Sequence, residues 1–347
     1  MPPPKPEREL PDDPLDVRVA KRVRWQAYWC GRLGSPLYAD LLSRVADDID
    51  AGGPFRALMT DPAIDPLAPN LPPLRLMGSV NRLVLTGLAP EMSWEALASL
   101  ARDRPDEIRE HINRPVQTNE VGRCGPLHAG FLWVARSFGL PLRMLEVGAS
   151  AGLNMRFDRY RYETGRGNWG PADSPVRLSG FWKDGDPPYD SVALEIADRR
   201  GCDLSPVDPT TDEGRVTLLS YVWPDQHQRV TNLRGALDVA RDVPATVDRA
   251  EATEWVSREL ASLPSGVVSV VFHSIVMQYL SEEERGEFAA AVASAGESRA
   301  TSRAPLSWLR AEYGGDECEL RVTTWPGGEE KLLATHGFHG LNVVWLA

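Results

Sequence analysis

Residues 145–154 read Leu-Glu-Val-Gly-Ala-Ser-Ala-Gly-Leu-Asn, an apolar run that ends in an acid and continues into a turn of small residues. Glycines permit positive φ and a close approach of the backbone. The free N–H groups at the start of a following helix form a polar cradle at the end of the strand. The pattern predicts a strand, a tight turn and a helix start, which is where parallel α/β sheets bind ligands.

The chain beyond this stretch alternates between short apolar runs and helical stretches, as in a parallel sheet covered by helices. The turn sequence Trp325-Pro326-Gly327-Gly328 lies between the last two predicted strands and indicates an antiparallel pair at the end of the sheet. The predicted strands are Arg143 to Val147, Val192 to Ile196, Gly266 to Phe272, Leu306 to Ala311, Glu319 to Thr324 and Val343 to Leu346, with helices at Gln228 to Arg241 and Ser281 to Ala293.

The amino-terminal part of the chain has a different pattern of apolar residues. Apolar residues recur at helical spacing through residues 17–139, which predicts an all-helical domain. Residues 1–16 are rich in proline and acids and lack the basic start and apolar stretch of an export signal, so we expect a disordered lead-in. The predicted organisation is therefore a lead-in, a helical cap domain at 17–139 and an α/β domain at 140–347, with a ligand cleft between the two domains.

Charge and composition narrow the class of partner. The 347 residues include 38 basic and 49 acidic side chains, and the net charge of -11 disfavours nucleic acid. No apolar run is long enough to span a membrane. The four cysteines form no C-x-x-C pair, and His336-x-x-His339 lacks a nearby carboxylate, so we expect reduced thiols and no metal site. These features predict a cytoplasmic protein that acts on a small molecule.

Three functional interpretations compete for the glycine turn. A dinucleotide fingerprint needs a glycine where Ser150 stands, so NAD is disfavoured. The sequence G-x-S-x-G at residues 148–152 also matches a nucleophile elbow with Ser150 as the nucleophile. An S-adenosylmethionine site explains more: Glu146 would complement a sulfonium and an ammonium, while Gly148 and Gly152 leave room for the methionine moiety. A small-residue turn that only lets a helix pack closely on the sheet remains the structural alternative.

Four separated motifs occur in one order and identify a resemblance. The motifs are residues 117–124, 146–154, 158–162 and 223–226. Together they resemble the bacterial family known as domain of unknown function 2332 over most of the chain. The first-strand motif and the terminal antiparallel hairpin are more remotely similar to class I S-adenosylmethionine-dependent methyltransferases. That similarity implies a Rossmann-like methyltransferase sheet in residues 140–347, with the hairpin supplying the reversed seventh strand of that fold.

The methyltransferase resemblance also implies a set of cofactor-binding residues. Ser150 departs from the usual middle glycine of the first motif. Asp203 would hold the ribose hydroxyls, although it follows the motif by roughly 50 residues rather than the expected ~20, which requires an insertion at residues 161–190. Glu251 would face adenine. The S-adenosylmethionine site implied in this way comprises Glu146, Gly148, Ser150, Gly152, Asn154, Asp203 and Glu251.

Polar clusters elsewhere in the chain predict the residues that would bind the substrate that accepts the methyl group. Arg123 would pair a carboxylate or phosphate, and Glu120 would accept a proton, unless residues 117–123 are only a capped interdomain connection. Asp225 would act as a base or cap a helix, and Trp223 would form a wall of the pocket.

His273 ends a buried strand, where an imidazole suits proton transfer or is satisfied within the core. Tyr160 would cover the pocket or lie on an outward face. The predicted catalytic residues are therefore His273, Asp225 and Glu120, with substrate bound by Gln117, Asn119, Arg123, Tyr160 and Trp223. We expect a methyltransferase-like enzyme for a small polar metabolite; a serine hydrolase and a non-catalytic nucleoside-binding protein are the alternatives.

Overall fold

Helical periodicity in the amino-terminal part of the chain produces α-helices in the computed structural model, which describes residues 6–68, 72–165, 167–185 and 194–347. The helices are α1 (Leu15–Arg32), α2 (Pro36–Asp50), α3 (Pro54–Met59), α4 (Pro72–Leu85), α5 (Trp94–Asp103), α6 (Pro105–Ile112), α7 (Cys124–Phe138), α8 (Asp212–Ser220), α9 (His227–Asp242), α10 (Ala252–Glu259) and α11 (Glu282–Arg299). The contacts divide the chain into a helical unit, Met1–Thr118 with Asp212–Val230, and a sheet unit, Asn119–Thr211 with Thr231–Ala347.

The helical unit is held together by an apolar core and by polar contacts from the inserted segment Asp212–Val230. Val19, Val23 and Cys30 form a buried stripe along α1, as their spacing predicts. Asp225 accepts hydrogen bonds from the Ser35 hydroxyl at 2.7 Å and from the Leu37 backbone N–H at 3.0 Å. The Asp225 carboxylate therefore satisfies groups at the start of α2 rather than at the start of its own following helix.

The division of contacts differs from the predicted domain boundary at residue 139. Helix α7 belongs to the sheet unit, and the segment Asp212–Val230 belongs to the helical unit although it lies between strands in the sequence. In the lead-in, Glu9 forms an ion pair with Arg22 at 2.7 Å, and Asp13 forms one with Lys21 at 2.9 Å. Residues 1–5 of the lead-in lie outside the described residues.

The sheet unit is a mixed α/β structure. Its strands are β1 (Leu142–Val147), β2 (Arg161–Thr164), β3 (Gly167–Trp169), β4 (Arg177–Ser179), β5 (Trp182–Asp184), β6 (Ile196–Asp203), β7 (Thr246–Arg249), β8 (Val268–Ser274), β9 (Leu306–Tyr313), β10 (Cys318–Trp325), β11 (Glu329–His336) and β12 (Val343–Trp345). Nine strands form one sheet in the order β5-β12-β11-β10-β9-β8-β1-β6-β7. The five strands from β9 to β7 are parallel neighbours, and β10 runs antiparallel to β9 and to β11. A mixed, mostly parallel α/β sheet is therefore confirmed.

Two strand predictions need correction. The second strand of the sheet is β6 at Ile196–Asp203 instead of residues 192–196, of which 192 and 193 lie outside the described residues. The strands on either side of the Trp325-Pro326 turn are β10 and β11; β11 was not among the predicted strands, and the predicted last strand, β12, pairs with β11 rather than with β10. Both strands were obscured by polar side chains, because β6 contains two adjacent arginines and the first half of β11 is exposed.

Helices cover both faces of the parallel strands. On one face, α7 approaches closely at Gly130, where a Cβ would lie 2.8 Å from the Leu309 side chain. Phe131 of the same helix meets Phe272 of β8 edge-to-face at 5.0 Å. On the other face, Trp255 of α10 and Phe288 of α11 belong to the apolar cluster that also buries Leu145 and Val147 of β1. Glu146, which lies between those two residues in the strand, therefore faces the α7 side.

We predict that Asp225→Ala lowers the free energy of unfolding by about 2 kcal/mol, because it removes the acceptor of two hydrogen bonds at the start of α2. Urea unfolding monitored by circular dichroism measures this change. The matched control is Asp40→Ala in α2, an exposed carboxylate paired with Arg44, which we expect to change the value by less than about 0.5 kcal/mol. Equal effects of the two substitutions would contradict the capping role.

Candidate functional site

The candidate site lies where the strand order of the sheet reverses. From β1 the chain goes on to β6 and β7 on one side, then returns to place β8 and β9 on the other side. In such sheets the carboxyl ends of the two strands at the reversal leave a crevice between them. Here those ends are Glu146–Val147 of β1 and His273–Ser274 of β8, and Glu146 is in register with Phe272.

The glycine turn that follows β1 has three residues with positive φ: +66° at Gly148, +53° at Ser150 and +66° at Gly152. The Asp203 carboxylate, at the end of β6, accepts the Ser150 backbone N–H at 2.9 Å and the Ser205 backbone N–H at 2.8 Å. The turn is therefore held in its left-handed conformation by a carboxylate from the neighbouring strand. The predicted ribose-binding acid lies beside the turn but already binds two backbone groups.

A buried arginine supports the same turn from the opposite direction. Arg156 donates to the Gly152 carbonyl at 2.8 Å and to the Ala151 carbonyl at 3.2 Å, and its Nε donates to Val243 O at 2.8 Å. Burial lowers its pKa. Arg156 was not predicted as a site residue, because a lone arginine in a short helix gives no sequence signal of burial.

Glu146 is the most unusual group at the site. Its side chain is only 2% exposed, and burial raises the pKa of its carboxyl well above the ordinary value, although the neighbouring Asn154 and Arg156 side chains partly lower it. Among the described residues, no hydrogen-bond donor reaches Glu146 Oε2. A buried carboxyl oxygen without a donor has the properties of an atom that awaits a ligand donor or cation.

A cysteine adjoins this carboxyl. Cys124 Sγ lies 3.3 Å from Asn154 Oδ1, and burial together with the charge of Glu146 raises the pKa of the thiol well above its ordinary value. The thiol is therefore protonated and unreactive at neutral pH. Cys124, Glu146 and Asn154 together form a buried polar cluster at the end of β1.

The space beside the two glycines of the turn is filled by the protein itself. A Cβ at Gly148 would lie 2.5 Å from the Val276 side chain, and one at Gly152 would lie 2.6 Å from Met155 Cε. The glycines therefore permit close packing of Val276 and Met155 in this conformation. The expectation that they leave open room for a methionine moiety is not what the structure shows.

Two residues of the predicted acceptor cluster do reach the strand ends. Asn119 Oδ1 accepts the Leu153 backbone N–H at 2.9 Å, directly after the glycine turn. Arg123 donates from Nη1 to the Ser274 carbonyl at 2.9 Å and from Nε to the Phe338 carbonyl at 3.0 Å. Glu120 accepts the Gly122 backbone N–H at 3.1 Å and so caps the short 3-10 helix that contains Arg123.

His273 is completely buried, and both of its ring nitrogens have partners inside the protein. Trp308 Nε1 donates to Nε2 at 3.0 Å, so the ring proton is assigned to Nδ1, which lies 2.6 Å from Glu312 Oε1. A proton could be exchanged with a substrate at Nε2 only after the Trp308 bond breaks. Glu312 was missed from the sequence. The available sequence signal is an acid directly after the predicted strand Leu306 to Ala311, the next predicted strand after the one that ends beside His273.

Of the other predicted residues, three belong to the helical unit, one is buried in the sheet unit and one is exposed in the sheet unit. Gln117, Trp223 and Asp225 belong to the helical unit. Tyr160 is buried, and its hydroxyl donates to the Leu153 carbonyl at 2.6 Å. Glu251 is exposed at the start of α10, and its side chain makes no capping hydrogen bond.

The described residues also bear on metals and membranes. They contain no group of three His, Cys, Asp or Glu side chains that could hold a metal ion. None of the described helices is both long and apolar enough to cross a membrane.

Fold and site together define an α/β protein in which a mixed nine-stranded sheet places buried polar side chains at a reversal of strand order. The chain belongs to the DUF2332 family, described as an uncharacterized protein conserved in bacteria, whose model matches residues 20–345. The family resemblance is thereby confirmed. No curated protein and no solved structure matches the chain.

We predict that Glu146 makes the fold less stable as pH rises. A carboxyl whose pKa is raised in the folded state gives its full contribution below its unfolded pKa of about 4.5 and loses it as pH rises through the folded value. Within that window the free energy of unfolding should fall by up to about 1.4 kcal/mol per pH unit. Urea unfolding of wild type and Glu146→Gln between pH 5 and pH 8 measures the difference. A parallel pH dependence in the two proteins would contradict the assignment.

Proposed function

We propose that the protein is an S-adenosylmethionine-dependent methyltransferase-like enzyme that acts on a small polar metabolite. The observation that carries this proposal is the buried Glu146 carboxyl, whose Oε2 has no donor among the described residues, at the end of the strand beside the reversal of strand order. An ammonium or sulfonium next to Glu146 would return the carboxyl to its ionised form and provide the missing partner.

The surrounding residues are compatible with a nucleoside cation. Asp203 is the last residue of β6 and Glu251 follows the end of β7, so acids occur at successive strand ends on one side of Glu146. Antiparallel β10 beside β9 is consistent with the reversed strand that the methyltransferase resemblance implies. Bound S-adenosylmethionine would supply an electrophilic methyl group. In this proposal Glu146 holds the cationic end of the cofactor, and Asp203 both supports the turn and offers its remaining lone pairs.

Binding beside the turn requires a change in the loop that follows β8. Val276 packs on Gly148, so a ligand can enter only when this side chain moves. The preceding residue, Ile275, has a φ of +55°, which is strained for a β-branched side chain. This strain would be relieved as the loop moves, which lowers the cost of opening. When the loop closes again over a ligand, Val276 and Ile275 would exclude water from the site.

Isothermal titration calorimetry with S-adenosylmethionine and S-adenosylhomocysteine tests the proposal. We expect both to bind the wild type, and Glu146→Gln to weaken S-adenosylmethionine at least tenfold because the cation loses its charged partner. The matched control is Glu259→Gln, which removes the buried acid that pairs with Arg143 near the amino end of β1.

The control should keep wild-type affinity even if it is less stable. Absence of binding by either nucleoside to folded wild type would overturn the cofactor assignment. Binding without transfer to any added small molecule would favour a non-catalytic nucleoside-binding protein.

A serine hydrolase remains the second candidate because of the conformation of Ser150. Its φ of +53° on a turn directly after a strand is the backbone geometry expected of a nucleophile elbow. A serine nucleophile also needs a histidine base. The described structure gives little support for His273 in that role, since both of its ring nitrogens are bound to other side chains.

A fluorophosphonate probe separates the two candidates. We predict that wild-type protein is not labelled, because both ring nitrogens of His273 are already bound to other side chains and cannot activate the Ser150 hydroxyl. Labelling is followed by mass spectrometry of the intact protein, with Ser205→Ala as the control for a serine in contact with the same Asp203 carboxylate. Labelling that disappears in Ser150→Ala and persists in Ser205→Ala would establish the hydrolase instead.

A further inference from the structure

A second cluster of polar side chains lies at the ends of β8 and β9, beyond the glycine turn, and it contains a buried carboxyl oxygen without a hydrogen-bond partner among the described residues. Glu312 uses one carboxyl oxygen, Oε1, to accept the Val276 backbone N–H at 2.9 Å and to bind His273. Its other oxygen, Oε2, is buried and has no hydrogen-bond partner among the described residues. This half of the carboxylate therefore lacks a donor from the described residues, which a bound ligand could provide.

A cation of this chain, Arg123, binds the end of β8 close to the place where Glu312 binds the loop that follows β8. Arg123 binds the Ser274 carbonyl, and Glu312 binds the N–H of Val276, two residues further on, so their contact points are no more than about 7 Å apart along the backbone. In the described part of the chain, no carboxylate forms an ion pair with Arg123, whose recorded acceptors are neutral oxygens. The guanidinium therefore retains the capacity to bind an anion.

Aromatic rings border the two charged groups. Tyr313 directly follows Glu312 and contacts Phe338, with ring centroids 5.1 Å apart, and the Phe338 carbonyl is one of the acceptors of Arg123. Tyr279 and Tyr313 are each 48% exposed, so the rings are open to solvent on one side. Burial of the phenol groups raises the pKa of both tyrosines, and Arg123 opposes the rise in both, which places these phenols within electrostatic reach of one cation.

We propose that Arg123 and Glu312, bordered by Tyr279, Tyr313 and Phe338, form a binding site for a small zwitterion that carries an ammonium, a carboxylate and a flat apolar body, such as an aromatic amino acid. Glu312 Oε2 accepts the ammonium, Arg123 binds the carboxylate, and the ring of the ligand stacks on Tyr313. The claim that this ligand accepts a methyl group rests on the proposed function. The claim that it binds at Arg123 and Glu312 does not.

Both charges are needed for the fit. A cation alone would satisfy Glu312 and leave Arg123 without an anion, and an anion alone would do the reverse. Glu312 accepts the backbone N–H of Val276, and the side chain of Val276 packs on Gly148. Val276 therefore contacts both the proposed zwitterion site and the glycine turn. The ligand would therefore lie beside the position proposed for the nucleoside.

Calorimetric titration with three probes tests the site on wild-type protein without any nucleoside: L-phenylalanine with both charges, phenethylamine with the cation only and 3-phenylpropionate with the anion only. We expect L-phenylalanine to bind at least tenfold more tightly than either analogue. Glu312→Gln should weaken L-phenylalanine and phenethylamine at least tenfold and leave 3-phenylpropionate unchanged, because the amide still accepts from Val276 but carries no charge. Arg123→Lys should weaken L-phenylalanine and 3-phenylpropionate while phenethylamine is unaffected.

Glu317→Gln is the matched control, since Glu317 is an exposed carboxylate in the turn that follows β9. It should bind all three probes as the wild type does, and circular dichroism should show that every variant is folded. Equal affinity of wild type and folded Glu312→Gln for L-phenylalanine, or no binding of any probe to the wild type, would overturn the site. Failure of S-adenosylmethionine to bind while the three probes behave as expected would overturn the cofactor assignment alone.

Discussion

Burial of the Glu146 carboxyl is the constraint around which the end of the sheet is organised. The residue lies on β1, the middle one of the five parallel strands, with β6 and β8 on either side, and it faces the layer that contains Cys124 and Asn154. An ionised carboxylate without full hydrogen bonding in such surroundings costs several kcal/mol, so the raised pKa is the expected response. An apolar residue at this position would give a more stable core. The presence of an acid here is therefore the basis for proposing a ligand.

The turn after β1 depends on contacts that are distant in sequence. Ser150 has positive φ although it is not a glycine, and the Asp203 carboxylate offsets part of that cost by accepting the Ser150 N–H. Arg156 holds two carbonyls of the same turn. Hydrogen bonds therefore hold the turn on the side of β6 and on the side of Arg156, which lies in the short 3-10 helix Leu153–Arg159. On the side of β8 it is covered by Val276, which is a contact between side chain and backbone without a hydrogen bond to the turn.

Local patterns in the sequence were sufficient to predict the parts of the fold that depend on local physics. Strand β1, the glycine turn and helices α9 and α11 follow from apolar periodicity and from glycine and capping residues. Strand β6 and strand β11 could not be placed in this way, because their exposed or half-buried positions are polar and their pairing is set by register with neighbouring strands.

The candidate site shows the same limit. Glu146 and Asn154 could be singled out because they lie in strand β1 and just after the glycine turn that follows it, whereas Asp203 was named only from the methyltransferase resemblance, since its strand was not placed from the sequence. Glu312 could not, since its importance arises only when β9 is placed beside β8 and brings its carboxylate to the buried ring of His273. Asp225 was interpreted from its position before a helix, yet its partners are Ser35 and the start of α2, 190 positions away along the chain.

Glu312 connects features that otherwise appear separate. One oxygen holds the imidazole of His273 and the backbone of Val276, so a backbone movement that takes Val276 away from Gly148 must either break that hydrogen bond or carry Glu312 with it. A ligand cation at the second oxygen would draw the carboxylate toward itself and change the same balance. If ligands bind as proposed, occupation of either the glycine turn or the Glu312 cluster would alter the free energy of opening at the other, because Val276 contacts both.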